Sequence, residues 1–323
     1  MRSGSRLTGV LDRALDRSVV LGYSRVGPSL RRRWWPADPA GDALEGRVVA
    51  VTGANSGLGK ATVAGATRLG AEVWMLCRSV ERGEAARADV LAAVPHARVN
   101  VLRCDVSDLA SLDAVARVLT ERVPRLHALV HNAGVLPPER SETPEGHELT
   151  LATHVLGPHK LTRALREPLA ADRDARVLFV TSGGMYTRRL DVTDPEHTRG
   201  TYTGTEAYAR TKRMQVHLAE EWARRLLPDG VAVHSTHPGW AGTPGLTESL
   251  PGFTRLTRPL LRSVEDGADT AVWLLASAEG HEETGLLWHD RARRPTSYLS
   301  RTEPTREDVR RLWDYCESAT AAP

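Results

Sequence analysis

Apolar residues come along this chain in short, nearly unbroken runs separated by turn residues, at 48–52, 72–77, 99–104, 128–131, 177–181, 231–236 and 286–288. Runs of that length with little alternation predict strands buried on both faces. Six longer stretches of helical periodicity alternate with them, and strands joined through helices give right-handed crossovers and a parallel sheet. The fold class is therefore α/β, a doubly wound parallel sheet, with ligands expected beyond the carboxyl ends of the strands. A last helical pattern covers 305–318.

The first 43 residues differ from the rest and are read as an extension to a domain spanning 44–323. Leu7, Val10, Leu11, Ala14, Leu15, Ser18 and Val19 fall at helical spacing, with Arg6, Asp12, Arg13, Asp16 and Arg17 between them. Arg31-Arg32-Arg33-Trp34-Trp35 and a Pro/Asp/Gly linker at 36–42 follow. Two readings stand: a helix packed on the main domain, or a basic, Trp-bearing surface making peripheral contact with lipid headgroups or a partner chain.

Composition narrows the function. A hydrophobic content of 41% is that of an ordinary globular chain, and a net charge of +3 does not suggest a nucleic-acid binder. No run approaches the ~20 apolar residues of a membrane span. Cys77, Cys104 and Cys316 show no paired spacing, so neither a disulfide framework nor a metal site is indicated, and a cytoplasmic setting is expected. Lys60, Lys160 and Lys212 are the only lysines in a chain that otherwise uses arginine, which makes each of them a candidate for chemistry.

Thr52-Gly53-Ala54-Asn55-Ser56-Gly57-Leu58-Gly59 joins the first strand to the first helix of the α/β pattern. There Gly53 suits a tight turn, Gly57 a close approach to a pyrophosphate, and Gly59 close packing of helix on sheet, with the helix N-terminus facing the phosphates. Asn55, Ser56 and Leu58 complete the predicted cofactor turn. The second strand ends in Cys77-Arg78-Ser79, with no acid for a ribose 2′-hydroxyl, so Arg78, with Arg82 beside it, favours NADP(H) over NAD. Farther on, Tyr208 and Lys212 stand four residues apart in a helical pattern from about 206 to 227, and so share one helix face. A unit charge at ~4 Å and an effective dielectric of ~20 is worth ~4 kcal/mol, so a lysine, helped by an oxidised nicotinamide, could bring a phenol of pKa ~10 into working range as a proton donor or acceptor.

Together with Asn132-Ala133-Gly134 after the fourth strand and Thr181-Ser182-Gly183-Gly184 after the fifth, these elements resemble the short-chain dehydrogenase/reductase family over about 44–289, a Rossmann fold. Ser182-Gly183-Gly184-Met185, His237-Pro238-Gly239-Trp240-Ala241 and Leu250-Pro251-Gly252-Phe253 resemble its branch of SDR family member 12-like proteins. The resemblance implies Tyr208 as general acid or base, Lys212 on the nicotinamide ribose and Ser182 on the substrate oxygen. It implies Asn132, Ala133 and Gly134 along the cofactor, Asp105 and Val106 near the adenine, and Pro238, Gly239 and Thr243 at the nicotinamide end. Two residues depart from the family. His154 takes the place of an Asn that holds a relay water, a task that neutral imidazole, with one donor and one acceptor, could share. His131 stands where an Asn usually precedes Asn132. The long interval between Ser182 and Tyr208, containing Asp191-Val192-Thr193-Asp194-Pro195, suits the member 12-like and retinol-dehydrogenase-like branches. The mixed apolar and Arg stretch 245–261 reads either as a packed loop or as a lid over an apolar substrate.

The expected activity is an NADP(H)-dependent oxidoreductase interconverting a carbonyl and an alcohol on a lipophilic small molecule. One alternative is a dinucleotide-binding regulatory or scaffold protein with little turnover. Another is epimerisation or dehydration of a nucleotide sugar, for which the short segment after the sixth strand leaves little room.

Overall fold

All seven apolar runs become strands, in a computed structural model that describes residues 6–321; residues 1–5 of the N-terminal extension and the last two residues lie outside it. The strands are β1 (Val48–Thr52), β2 (Glu72–Cys77), β3 (Arg98–Arg103), β4 (Ala128–His131), β5 (Arg176–Val180), β6 (Ala232–Thr236) and β7 (Leu286–His289). Their order across the sheet is β3-β2-β1-β4-β5-β6-β7, all parallel. The chain is thus the doubly wound α/β fold that its pattern predicts, with a crevice where the order reverses between β1 and β4.

Pleating divides even these continuous runs between two cores. Ala50, Leu76, Leu129 and Phe179 face the helices Leu109–Arg122, Gly204–Leu226 and Arg306–Ala319. Val49, Val51, Met75 and Leu178 face the helices Gly57–Arg68, Val80–Ala93 and Val264–Ala276. Thr305 starts the last helix with a capping box to Asp308, one residue before the helix itself. Among the described residues, no helix is long and apolar enough to cross a membrane.

An eighth strand, β8 (Ala292–Arg294), runs antiparallel to β7 and has no counterpart in the sequence reading. Its hairpin turns on Asp290 and Arg291, both at positive φ (51° and 52°), without the Asn-Gly that usually marks such a turn. Ion pairs hold the turn instead. Asp290 is buried between Arg31 (2.7 Å) and Arg262 (2.7 Å), and Arg291 clamps Asp269 (2.7 Å).

The N-terminal segment docks on this hairpin through three helices, Arg6–Arg17, Val19–Tyr23 and Val26–Arg31. Arg31 is fully buried and also reaches Asp12 at 2.8 Å, while Arg294 binds Asp12 (2.6 Å) and Asp16 (3.3 Å). The indole of Trp35 lies near the guanidinium groups of Arg32 and Arg291. Arg31 and Trp35 are therefore packed against the domain, as in the first of the two readings, while Arg32 and Arg33 stay exposed. The helix 6–17 nevertheless presents a face that its periodicity does not suggest: Asp12, Leu15 and Asp16 point inward while Val10 and Leu11 point out.

Removing one member of a buried ion cluster leaves its partners charged and uncompensated, at a cost of roughly 3–5 kcal/mol. Asp290→Asn keeps a residue that tolerates positive φ, so its effect isolates the charge. Urea unfolding of this variant should show a loss of about that size at unchanged m-value; a loss below about 1 kcal/mol would mean that the cluster does not hold the N-terminal segment.

Candidate active site

Thr52 ends β1, and Gly53 turns the chain at φ +62°, where a Cβ would stand 2.8 Å from the Ala133 Cα. A Cβ on Gly59 would meet the Gly53 carbonyl at 2.3 Å and the Asn132 Nδ2 at 2.5 Å. Side chains are excluded here because β4's exit presses on the turn. Asn132 fixes that contact, its Nδ2 donating to the Thr52 and Gly53 carbonyls at 3.0 and 3.1 Å. Ser56 caps the helix Gly57–Arg68 without a side-chain hydrogen bond, so the first-turn N–H groups are left to the crevice. A backbone cradle closed to side chains, at a helix N-terminus with unengaged donors, fits a pyrophosphate. Across it, Thr243 of the loop after β6 stands 3.3 Å from where a Gly57 Cβ would be.

At the adenosine end, Arg78 and Arg82 are both exposed. A third guanidinium, unmarked in the sequence reading, joins them: exposed Arg103 ends β3 in register with Cys77. Only the pairing of β2 with β3 brings it there. Asp105, just past β3, accepts from the Ser107 N–H and hydroxyl (3.0 and 2.7 Å). Val106 is buried, with its carbonyl against Gly157.

The helix Gly204–Leu226 carries Tyr208 and Lys212 to the end of β5. Thr181 Oγ1 donates to the Lys212 carbonyl (2.8 Å), and Lys212 Nζ donates to the Val180 carbonyl (2.9 Å) and to Gln215 Oε1 (3.0 Å). Lys60 and Lys160 pair with Asp89 and Asp113. Lys212 is buried among dipoles instead, and burial pushes its ammonium down to about 7. Its Nζ stands 5.5 Å from the centre of the Tyr208 ring. Burial raises the phenol's pKa, and a hydrogen bond with the Ser182 hydroxyl opposes that rise. The charge of Lys212 is itself depressed by burial and the phenol's pKa is raised by it, so lowering the phenol into working range falls to Lys212 together with an oxidised nicotinamide. Ser182 also accepts from the Gly184 N–H (3.3 Å) at the head of the turn Gly183–Thr187.

His154 lies in a π-helical turn, Ala152–Leu156, a form that concentrates at functional sites. Its Nε2 accepts from the Val135 N–H (3.1 Å), which places the proton on Nδ1, 2.8 Å from Thr211 Oγ1. The Thr211 hydroxyl in turn donates a hydrogen bond to the Ala207 or Tyr208 carbonyl (3.0 and 3.1 Å). Burial, then the Lys212 charge, keeps the imidazole neutral. Both nitrogens are engaged internally, so the donor and acceptor that the sequence reading assigned to a relay are already in use. The imidazole instead locks the Gly134–Val135 backbone to the helix of Tyr208. Its ring meets the phenol edge-on at 5.3 Å, and a Cβ on Gly134 would approach Nε2 to 3.1 Å. His131 packs on Phe179 (4.7 Å) and bonds Thr162 (2.8 Å), a structural role, and burial lowers its pKa to about 3.

Tyr23, not singled out in the sequence, closes the far side. A Gly183 Cβ would fall 2.5 Å from its ring, which also contacts His237 (4.7 Å) and Trp240 (6.4 Å), and its carbonyl accepts from the Trp240 N–H (2.7 Å). No short-range signal could have placed it there, because its partners lie some 160 to 220 residues away. Pro238 and Gly239 (φ +69°) share this loop, where a Gly239 Cβ would strike the Arg262 guanidinium at 2.5 Å. The stretch 245–261 forms two short helices, Pro244–Ser249 and Pro251–Thr257; Phe253 touches Trp240 (5.4 Å) and Leu256 is 82% exposed. The insertion at 191–195 stays outside the site, its Asp194 capping the Thr198 and Arg199 N–H groups.

The arrangement can therefore cradle a dinucleotide across the switch point and present a phenol, a hydroxyl and an ammonium to whatever lies beside it. The profile of the short chain dehydrogenase family matches residues 47–251. Dehydrogenase/reductase SDR family member 12 of Bos taurus is 35% identical over 300 residues, covering 91% of this chain and 93% of that protein. Retinol dehydrogenase 12 of Homo sapiens is 34% identical over 278 residues, covering 85% and 86%. Among solved structures, the NADP active-site complex of RhlG from Pseudomonas aeruginosa shares the fold, with a TM-score of 0.62 at 22% identity over 76% of this chain and 95% of that one.

The depressed ammonium has a consequence for stability. Between about 7 and the ordinary lysine value of 10.5, the unfolded chain binds a proton at residue 212 that the folded chain does not, so stability rises with pH across that window. The unfolding free energy of the native chain minus that of Lys212→Met should therefore grow from about pH 7 towards about pH 10. A flat or falling difference would show that the ammonium is not held in a desolvated site.

Proposed function

The chain belongs to the short-chain dehydrogenase/reductase family, in its member 12-like branch, and on that premise we propose that it interconverts a carbonyl and an alcohol on a lipophilic small molecule, with NADP(H) favoured over NAD(H). It is an NAD(P)-dependent oxidoreductase acting between CH–OH and C=O. The observation that carries the finer reading is the convergence of the Ser182 hydroxyl and the Tyr208 phenol beside Lys212, on the crevice side of the glycine turn.

The bound nicotinamide supplies or accepts the hydride. In carbonyl reduction, Tyr208 gives its proton to the substrate oxygen while Ser182 donates a hydrogen bond to the same oxygen; in alcohol oxidation the proton returns to Tyr208. Lys212 holds the ribose hydroxyls and favours the phenolate. His154 acts as a positioning residue, through Val135 and Thr211. Gly53, Asn55, Ser56, Gly57, Leu58 and Gly59 hold the pyrophosphate side, and Asn132, Ala133 and Gly134 keep the cofactor's path open. Asp105 and Val106 border the adenine, and Pro238, Gly239 and Thr243 border the nicotinamide. The domain that begins at residue 44 forms the hydride-transfer unit, and Tyr23 of the extension braces its far wall.

Two observations support the finer choices. For NADP, three exposed guanidinium groups, Arg78, Arg82 and Arg103, gather where a 2′-phosphate would lie, with no acid at the end of β2. For a lipophilic substrate, the wall opposite the cofactor cradle is built from Tyr23, Trp240 and Phe253. The internal engagement of His154 favours, as second reading, a dinucleotide-binding protein with little turnover.

A screen of apolar ketones, aldehydes and alcohols with NADP(H) and NAD(H) decides between these. Tyr208→Phe should lower kcat by about a thousandfold or more, with NADPH affinity within a few-fold. Arg78→Ala should weaken NADPH by about tenfold while leaving NADH nearly unchanged. Normal turnover in Tyr208→Phe would refute the assignment, and NADPH binding without turnover of any substrate by the native chain would favour the second reading.

A further inference from the structure

The helix Arg6–Arg17 is turned inside out. Its two acids face the domain: Asp12 meets Arg31 and Arg294, and Asp16 meets Arg294 and Tyr298. Its outer face carries Val10, Leu11 and Ala14, and the next helix, Val19–Tyr23, adds Val19, Val20 and Leu21. The five large side chains of this group are each 44–55% exposed. Burying the acids on the domain's arginines forces the apolar stripe outward, because residues 12 and 16 lie opposite residues 10 and 14 on the helix.

The exposed charges that residues 8–25 bring to this apolar patch are all of one sign. Arg13, Arg17 and Arg25 are exposed around it, and the only acids between residues 8 and 25 are the two turned inward. Arg25 also donates its N–H to the Leu260 carbonyl (2.9 Å), which sets the patch beside the stretch holding exposed Arg255, Leu256 and Arg258. We infer that this face is a docking surface for an anionic lipid bilayer, with its aliphatic side chains entering the headgroup boundary and its arginines on the lipid phosphates and carboxylates. A second copy of this chain fits less well, since a two-fold contact would set the same arginines against their own copies. The surface is distinct from the Arg31–Trp35 cluster, whose Arg31, Arg32 and Trp35 are engaged by Asp290, Asp266 and Arg291. The inference stands apart from the hydride chemistry and does not need it.

The test is flotation of the full chain with vesicles of phosphatidylcholine alone and of phosphatidylcholine mixed with phosphatidylserine, across a salt series. The native chain should partition into the anionic vesicles, hold weakly to the neutral ones, and be released as salt rises. The triple variant Arg13→Gln/Arg17→Gln/Arg25→Gln should lower the partition coefficient by about a hundredfold, at roughly fivefold per arginine. Leu11→Ser/Val20→Ser should lower it several-fold, and turnover or NADPH binding in solution should be unchanged in both. Equal partition into the two vesicle types, or none, would overturn the inference without touching the enzymatic reading. So would a dimer in sedimentation that Leu11→Ser/Val20→Ser dissolves, because the face would then belong to a second copy. The salt series on the native chain stands even if a variant fails to fold.

Discussion

A single ammonium, buried at the carboxyl edge of the sheet with no carboxylate paired to it among the described residues, organises this site. Lys212 Nζ is held by the Val180 carbonyl and Gln215 Oε1, and the Lys212 backbone by Thr181. These bonds tie the helix of Tyr208 to β5 and thereby set the phenol beside Ser182. A desolvated cation compensated only by dipoles is costly, and the fold bears that cost where a chain otherwise so poor in lysine retains one. Such strain concentrates where chemistry needs it. Burial brings the pKa of this ammonium down to about 7.

Around that cation the site is braced from two directions. His154, kept neutral by burial, joins the β4 exit to the helix of Tyr208. From the other side, Tyr23 wedges between Gly183 and Trp240, so the N-terminal segment forms part of the site's wall. The arginine–aspartate cluster around Asp290 carries that wedge. It links residue 31 to residue 290 through the buried core of the molecule's edge, and the same pairing turns the segment's apolar stripe to the outside.

The sheet was legible to within one residue at each strand end because its inner strands, buried on both faces, leave no ambiguity of face, and every run is closed by turn residues. The glycine turn and the Tyr208/Lys212 pair were legible because each is a local spacing with a local physical reason. What escaped was non-local. β8 was missed because its turn is Asp290-Arg291, held by ion pairs to residues 31, 262 and 269 rather than by glycine. Arg103 needed the register of β3 on β2, and Tyr23 needed the docking of a segment far away in sequence. The helix 6–17 shows the limit of periodicity itself: the spacing was read correctly, yet buried acids with arginine partners decide which face turns inward.

The central claim of the proposed function is that Lys212, together with the bound cofactor, lowers the proton affinity of Tyr208. Its most direct measurement is the ultraviolet difference absorbance of phenolate, native chain minus Tyr208→Phe, followed against pH with NADP bound and repeated in a Lys212→Met background. A phenol that ionises at distinctly lower pH with Lys212 present is the expected result; equal midpoints in the two backgrounds would contradict the account.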